Sequence, residues 1–313
     1  MNAHLIALAT VLVWGVTFVS TKVLLVDFAP IEILFIRFLM GFAALCLLRR
    51  HVLKTKKRSH ELLFAAAGIT GVTLYYLLEN VALVYANASV VGVVVAVSPL
   101  FTAILGTLTG SERKLGVRFF AGFVVAMAGI ALVSLQGAVT VGADGTPVLA
   151  VSFGTWGDVL ALLAAVVWAF YSTIVKRIAD LGYETIASTK RTFAWGLLFM
   201  IPFLPIMGAT PDLTRLLDVV NVGNLLFLGL IASAACFVTW GIAVSRLGAV
   251  RTSAYVYLVP VIPVVASVIV LGEPFTPVTA AGLVLTVGGL FLSESQPRAH
   301  RIPAVASEKV AKR

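Results

Sequence analysis

The feature that most restricts this chain is the recurrence, between residues 3 and 293, of apolar runs separated by short polar breaks. The runs have the length, about 20 residues, that an α-helix rising 1.5 Å per residue needs to cross the hydrocarbon layer of a bilayer. Hydrophobic residues make up 60% of the 313 and charged residues 12%, more apolar surface than one water-soluble core could bury. Lipid is therefore the solvent read from the sequence. Open sheets are excluded there, because unpaired backbone groups in hydrocarbon are costly. The pattern predicts an all-α integral membrane protein with ten transmembrane helices over residues 3–25, 31–49, 61–84, 88–110, 115–135, 156–176, 184–207, 222–245, 249–271 and 277–293. Short breaks at 27–30, 85–89 and 272–276 imply closely packed antiparallel neighbours.

The net charge of +9 would suggest a nucleic-acid surface in a soluble protein. Here the basic residues lie in the breaks, so the partner they imply is the anionic inner leaflet and no nucleic acid is expected. Of the 23 Lys and Arg, 18 fall on one side: after the second, fourth, sixth and eighth spans and in the tail. Arg215 stands alone in the opposite loops, and Lys22, Arg37, Lys190 and Arg191 lie within spans. Both termini are predicted to be cytoplasmic, in a multi-pass protein of the bacterial inner (plasma) membrane. The first run lacks a basic leader and a cleavage site, so it is expected to remain as the first helix. The tail, 294–313, is basic and predicted to be disordered.

Sliding the first half along the second gives an internal repeat. At an offset of 154, Trp14 meets Trp168, Lys22 meets Lys176 and Arg37 meets Arg191. At 161, Pro99 meets Pro260 and Glu112 meets Glu273; at 160, Gly122 and Gly129 meet Gly282 and Gly289. One loop insertion explains the change of offset. The predicted domains are a first repeat over 1–136, a loop over 137–155 and a second repeat over 156–293. Five spans is an odd number, so the second repeat enters from the opposite side and the repeats are inverted, a device of secondary transporters.

Several segments then resemble those of the drug/metabolite transporter superfamily, specifically EamA-type proteins. They are Trp14-Gly15 with its echo VVWAFYS at 166–172, the segments 79–105 and 110–132, and the second-half text 246–292. The resemblance implies export or exchange of amino acids, related metabolites or drugs, with the first four helices of each repeat around a cavity and the fifth and tenth helices at the periphery. It does not identify the cargo.

Pro99, and Pro260 with Pro263, fall near the middles of the fourth and ninth spans. Helix breaks at corresponding places in two repeats point to a transport site, although a packing kink gives the same signal. Trp14 and Trp168 sit near span centres rather than at interfacial depth, as packing residues or cavity walls. Tyr75, Tyr76, Tyr171, Trp240, Tyr255 and Tyr257 add amphipathic rings at similar depths, each a candidate for substrate binding or for ordinary packing. Arg37 and Glu79 come out at similar depths, roughly 8 to 9 Å below one surface. Isolated charges there are expensive, so a mutual pair or a wet cavity is expected. Glu79 then binds a substrate amine or a proton and pairs with Arg37 when the outer side is closed, or the pair is permanent and structural, or the two side chains snorkel separately to the outer interface. The second repeat carries Trp240 where the equivalent of Glu79 would stand.

Glu112 and Glu273 read as structural carboxylates at the starts of the fifth and tenth spans. Gly106 with Gly110, and Gly288 with Gly289, permit close helix approach, within the chain or at a dimer face; a monomer or a homodimer is compatible with both. Cys46 and Cys236 lie in apolar spans, and the histidines lie near loops or termini, so no metal site and no cofactor are expected. An intramembrane enzyme would need a nucleophile or metal cluster, and no HExxH, GxSxG or Walker A pattern occurs. The function read from the sequence is a secondary transporter of small organic metabolites working by alternating access. The competing class is a non-transporting membrane sensor or assembly protein.

Overall fold

A computed structural model describes residues 2–51, 53–108, 116–136, 139–141, 147–149, 156–210, 212–247, 252 and 254–294. The regular structure of the described residues is helical except for a short antiparallel strand pair, β1 (Val139–Val141) with β2 (Pro147–Leu149). Six helical segments are long and apolar enough to cross a bilayer: Ala3–Leu24, Pro30–Leu48, Arg58–Tyr85, Ala88–Leu108, Trp156–Asp180 and Val219–Leu247. Shorter apolar helices cover Val117–Val133, Val261–Leu271 and Pro277–Ser293. Multiple spans and outward-facing Leu39, Phe120, Phe170, Ile269 and Val284 describe a multi-pass membrane protein, whose apolar exterior suits lipid.

Helix α1 (Ala3–Leu24) starts at Asn2, whose side chain accepts from the His4 N–H at 3.1 Å. Helix α2 (Pro30–Leu48) has proline in its first turn, where no intrahelical donor is needed, and Glu32 accepts from the Ala29 N–H at 2.7 Å. The third span is not uniform. Helix α3 (Arg58–Gly68) passes through a π-helical stretch, Ile69–Leu74, into α4 (Tyr75–Tyr85). The fourth is interrupted: α5 (Ala88–Val95) ends and α6 (Ser98–Leu108) begins after a two-residue turn.

Helix α7 (Val117–Gln136) precedes the strand pair. Helices α8 (Trp156–Asp180) and α9 (Thr185–Met200) follow, then the short α10 (Phe203–Ile206) and a 3-10 turn, Leu213–Leu217. The next span repeats the irregularity of the third, with α11 (Val219–Leu226), a π-helical stretch Phe227–Ala235 and α12 (Cys236–Leu247). A 3-10 segment, Ala254–Leu258, a turn at Val259 and Pro260, and α13 (Val261–Leu271) make a second interrupted helix. Gly272, at φ 66°, ends α13 in the left-handed region that a side chain would resist. Proline opens the last helix, α14 (Pro277–Glu294).

Several helix hydroxyls bond to the carbonyl four residues earlier in their own helix. Thr10 donates to Ile6 O, Thr102 to Ser98 O, Thr173 to Ala169 O and Thr286 to Gly282 O. Helices α7 and α14 run antiparallel along a glycine seam. A Cβ on Gly122 would lie 2.5 Å from Gly289 O, and one on Gly289 would lie 2.6 Å from Gly122 O; Gly129 and Gly282 meet in the same reciprocal way. Gly289 thus packs inside the chain, while Gly288 faces open space. Gly110 lies outside the described residues.

Candidate functional site

At the centre of the bundle, α1, α4, α8 and the two helix interruptions enclose a narrow cavity. Its lining is Trp14, Thr17 and Phe18 from α1, and Tyr75, Tyr76 and Glu79 from α4. Val95, Ala96 and Ser98 come from the first interruption, Trp168 from α8, and Val256 and Val259 from the second interruption. The aromatic walls are mutually packed. Trp14 meets Trp168 edge-on with centroids 5.7 Å apart, and Tyr75 lies 4.6 Å from Trp168 and 4.7 Å from Tyr76. The Trp14 indole N–H donates to the carbonyl of Ala232 at 3.0 Å, inside the second π-helical stretch.

Five residues nominated from the sequence, Trp14, Tyr75, Tyr76, Glu79 and Trp168, therefore share one cavity. Two stand one ring further out: Tyr171 is 4.9 Å from Trp168, and Trp240 is 5.1 Å from Trp14. Tyr255 lies near the chain start, with its hydroxyl 2.5 Å from His4 Nδ1, and the side chain of Tyr257 lies outside the described residues. Pro99 is the second residue of α6, Pro260 occupies the turn before α13, and Pro263 fills the space beside Gly92.

Arg37 and Glu79 are both buried, at 0% and 1% exposure, but they do not form the direct pair expected from their similar depths. The ion pairs among the described residues are Arg49–Glu184, Arg191–Glu61, Arg215–Glu32 and Arg215–Asp212. The reason lies in what surrounds Arg37. Its Nε donates to Ser233 Oγ at 3.1 Å and its guanidinium sits 4.5 Å from the centroid of Tyr76, a cation–π placement. Both terminal nitrogens of Arg37 and Oε1 of Glu79 are buried without a hydrogen-bond partner. Such orphaned polar atoms carry a desolvation penalty, and in a native fold they call for a functional explanation.

Phe237 was not singled out from the sequence, yet it is the aromatic hub, within 6.5 Å of Trp14, Phe38, Tyr76, Trp168, Tyr171 and Phe193 by ring centroids. The repeat offset of 161 carried the signal, because it sets Phe237 opposite Tyr76.

Polar ties close both ends of the bundle. Where α1 and α4 finish, Lys22 Nζ donates to the carbonyls of Leu83 and Ala86, the latter at 2.9 Å. Glu273 accepts from the N–H groups of Ala88 at 2.8 Å and Ser89 at 3.2 Å, and from Ser89 Oγ at 2.5 Å. Glu273 thus caps α5, not the helix that follows it in sequence; Glu112 lies outside the described residues. Glu32 binds Thr210 N–H and Arg215 at the same end. At the other end Glu61 accepts from Arg191 and Trp195, and Lys190 donates to the carbonyls of Arg49 and His51.

A model of the EamA-like transporter family matches residues 1–135 and 155–294. A protein of Archaeoglobus fulgidus named "Uncharacterized transporter" is 27% identical over 94% of this chain and 98% of its own length. A "Probable terminal-alkyne amino-acid exporter" of Streptantibioticus cattleyicolor is 28% identical over 90% of each chain. A "Probable amino-acid metabolite efflux pump" of Salmonella typhimurium is 26% identical over 96% of this chain and 97% of its own. A crystal structure at 21% identity superposes with a TM-score of 0.62, covering 93% of this chain and 96% of that one; the likeness is one of fold.

Proposed function

This chain belongs to the EamA-like transporter family, and from that premise we propose that it exports or exchanges amino acids or related small metabolites by alternating access about the central cavity. The observation that carries the reading is the position of that cavity, enclosed by aromatic rings and a buried carboxylate where two interrupted helices meet. Interrupted helices at the midplane leave backbone groups free for a substrate, which continuous helices do not.

The proposed architecture is ten spans in two inverted five-helix repeats, 1–136 and 156–293, joined by 137–155 and followed by a basic tail. Several matched features support it. The π-helical stretches at Ile69–Leu74 and Phe227–Ala235 and the interruptions before Pro99 and at Pro260 fall at corresponding places. The family model matches twice, near the proposed repeat limits. The reciprocal contacts of Gly122 with Gly289 and Gly129 with Gly282 are what a two-fold axis relating the halves produces. In the orientation set by the basic loops, with cytoplasmic termini in the inner membrane, Lys22 and Glu273 belong to a closed outer gate.

Flux of a radiolabelled amino-acid panel into sealed vesicles containing only the purified protein tests the function. Saturable, protein-dependent movement of at least one compound is expected. A panel of amino acids and their simple metabolites that moves no faster than through protein-free vesicles would sink the transport reading.

A further inference from the structure

We propose that the central cavity recognises its cargo through a protonated amine, and that a carboxylate contributes little to recognition there. The inference rests on the reading of this cavity as the transport site and adds the chemical class of group that it binds.

The electrostatics of the lining all have one sign. Among the described lining residues Glu79 is the only carboxylate, and none is Lys, Arg or His. Glu79 is 1% exposed and its Oε1 has no hydrogen-bond partner, so one acceptor is already desolvated and waiting. A second acceptor comes from the backbone. Residue 99 is proline, which has no N–H, so the carbonyl of Val95 four residues earlier loses its helical donor. The neighbouring turn bonds run from Ala96 N to Gly92 O and from Val97 N to Val94 O, and neither takes Val95 O. Val95 is also the last residue of α5 and lines the cavity, where the negative end of the helix dipole favours a cation.

The walls act in the same sense. Aromatic faces carry the negative side of the ring quadrupole and attract a desolvated cation; Trp14, Trp168 and Tyr75 line the space, and Tyr76 already holds the Arg37 guanidinium in this way. Among the described residues Arg37 is the cation beside this space; its Nε is tied to Ser233 and its guanidinium lies against Tyr76, outside the lining, although both its terminal nitrogens lack a hydrogen-bond partner. An anionic ligand in this space would meet the Glu79 carboxylate directly, with the offsetting Arg37 charge behind the Tyr76 ring. The N–H groups of an ammonium would satisfy Glu79 Oε1 and stand in for the helical donor that Pro99 withholds from the Val95 carbonyl.

Three probes with one carbon skeleton separate the charges: 3-methylbutylamine, L-leucine and 4-methylpentanoate. Binding to the purified protein is measured by calorimetry, and flux of each probe by uptake into vesicles. The amine and leucine should bind with affinities within about tenfold of each other, and the acid at least about tenfold more weakly than either. Glu79→Gln should weaken the amine by about tenfold or more. Pro99→Ala, which restores a donor to Val95 O, should weaken it by a smaller factor, with unfolding curves verifying that both variants are folded. Acid binding equal to amine binding in the wild-type protein overturns the proposal without recourse to any variant. So does an absence of binding by all three probes, or unchanged amine affinity in folded Glu79→Gln. Glu79-dependent amine binding with no flux of any probe leaves the assignment standing and removes the transport reading. Equal flux of leucine and the acid does the reverse.

Discussion

Two adjacent glycines on α14 should respond in opposite ways to the same substitution. A Cβ at Gly289 would sit 2.4 Å from the backbone nitrogen of Ala126 and 2.6 Å from the carbonyl oxygen of Gly122. Both are backbone atoms of α7, so no side chain can turn aside; the helices must part by roughly 1 Å to restore ordinary contact. Overpacking of this kind costs about 1 to 3 kcal/mol, and the separation weakens every other contact along the seam, including that of Gly129 with Gly282. A Cβ at Gly288 meets nothing within 4 Å. Gly288→Ala therefore receives only the intrinsic helical advantage of alanine, about 1 kcal/mol at most. Gly289→Ala receives the same advantage and loses more. The two variants should differ by roughly 2 kcal/mol in unfolding free energy, with Gly288→Ala at or slightly above wild type. Reversible unfolding in mild detergent titrated with a denaturing detergent, followed by tryptophan fluorescence, measures the difference. Equal stabilities for the two variants would refute the internal seam, and a Gly288→Ala variant that loses stability while changing oligomeric state would move the contact to a subunit interface.

Replacing Trp14 or Trp168 with alanine should abolish most transport; the truncation of either packed ring costs about 3 to 5 kcal/mol, so flux must be normalised to folded protein, and proportional loss of both would make these rings packing residues only. Cysteines introduced in the 50–60 loop or the tail should be shielded from an impermeant thiol reagent in intact cells while one in the 137–154 loop reacts; the opposite labelling would invert the proposed orientation. Glu273→Gln removes a charged acceptor from the first N–H groups of α5, a loss of about 0.5 to 2 kcal/mol by analogy with helix caps. It should raise outside labelling of a cysteine placed at Ala96; unchanged labelling would remove Glu273 from the gate.

The spans were legible because hydrophobic length is a local property: Ala3–Leu24, Pro30–Leu48 and Pro277–Glu294 lie within a residue or two of where the apolar runs placed them. The interruptions were legible for the same reason, since Pro99 and Pro260 act on their own helices. The π-helical stretches were not. Neither Ile69–Leu74 nor Phe227–Ala235 contains proline, and at Gly71 the register is bound up with tertiary packing, because the Tyr171 ring occupies the place of a Cβ at 2.1 Å. Partner choice was equally hidden. The burial of Arg37 follows from its depth, but its bond to Ser233 joins positions 196 residues apart. Likewise the charge of Glu273 marked a helix start, but the start that it caps belongs to α5, 184 to 185 residues away. Spacing along the chain encodes which face a residue occupies, not which distant helix will meet that face.

On the proposed repeat register, the lining residues of α4 oppose those of α12: Tyr75 with Cys236, Tyr76 with Phe237 and Glu79 with Trp240. The indole pair is kept, Trp14 with Trp168, and the two rings touch. On that proposed register, symmetry is retained in the parts that shape the space and abandoned in the parts that carry polarity. There is a physical reason for the departure to fall at position 79. A carboxylate at both equivalent positions would bury two like charges in one aromatic core, and one of them would have to take up a proton or expel the other. Trp240 in place of the second carboxylate avoids that conflict and supplies instead a ring packed behind Trp14 at 5.1 Å. A scaffold that must open to either side benefits from matched halves, whereas a site that must distinguish one end of a small molecule from the other needs unmatched ones. On the proposed function and register, the exchange of Glu79 for Trp240 across the repeat is where this chain would reconcile the two requirements.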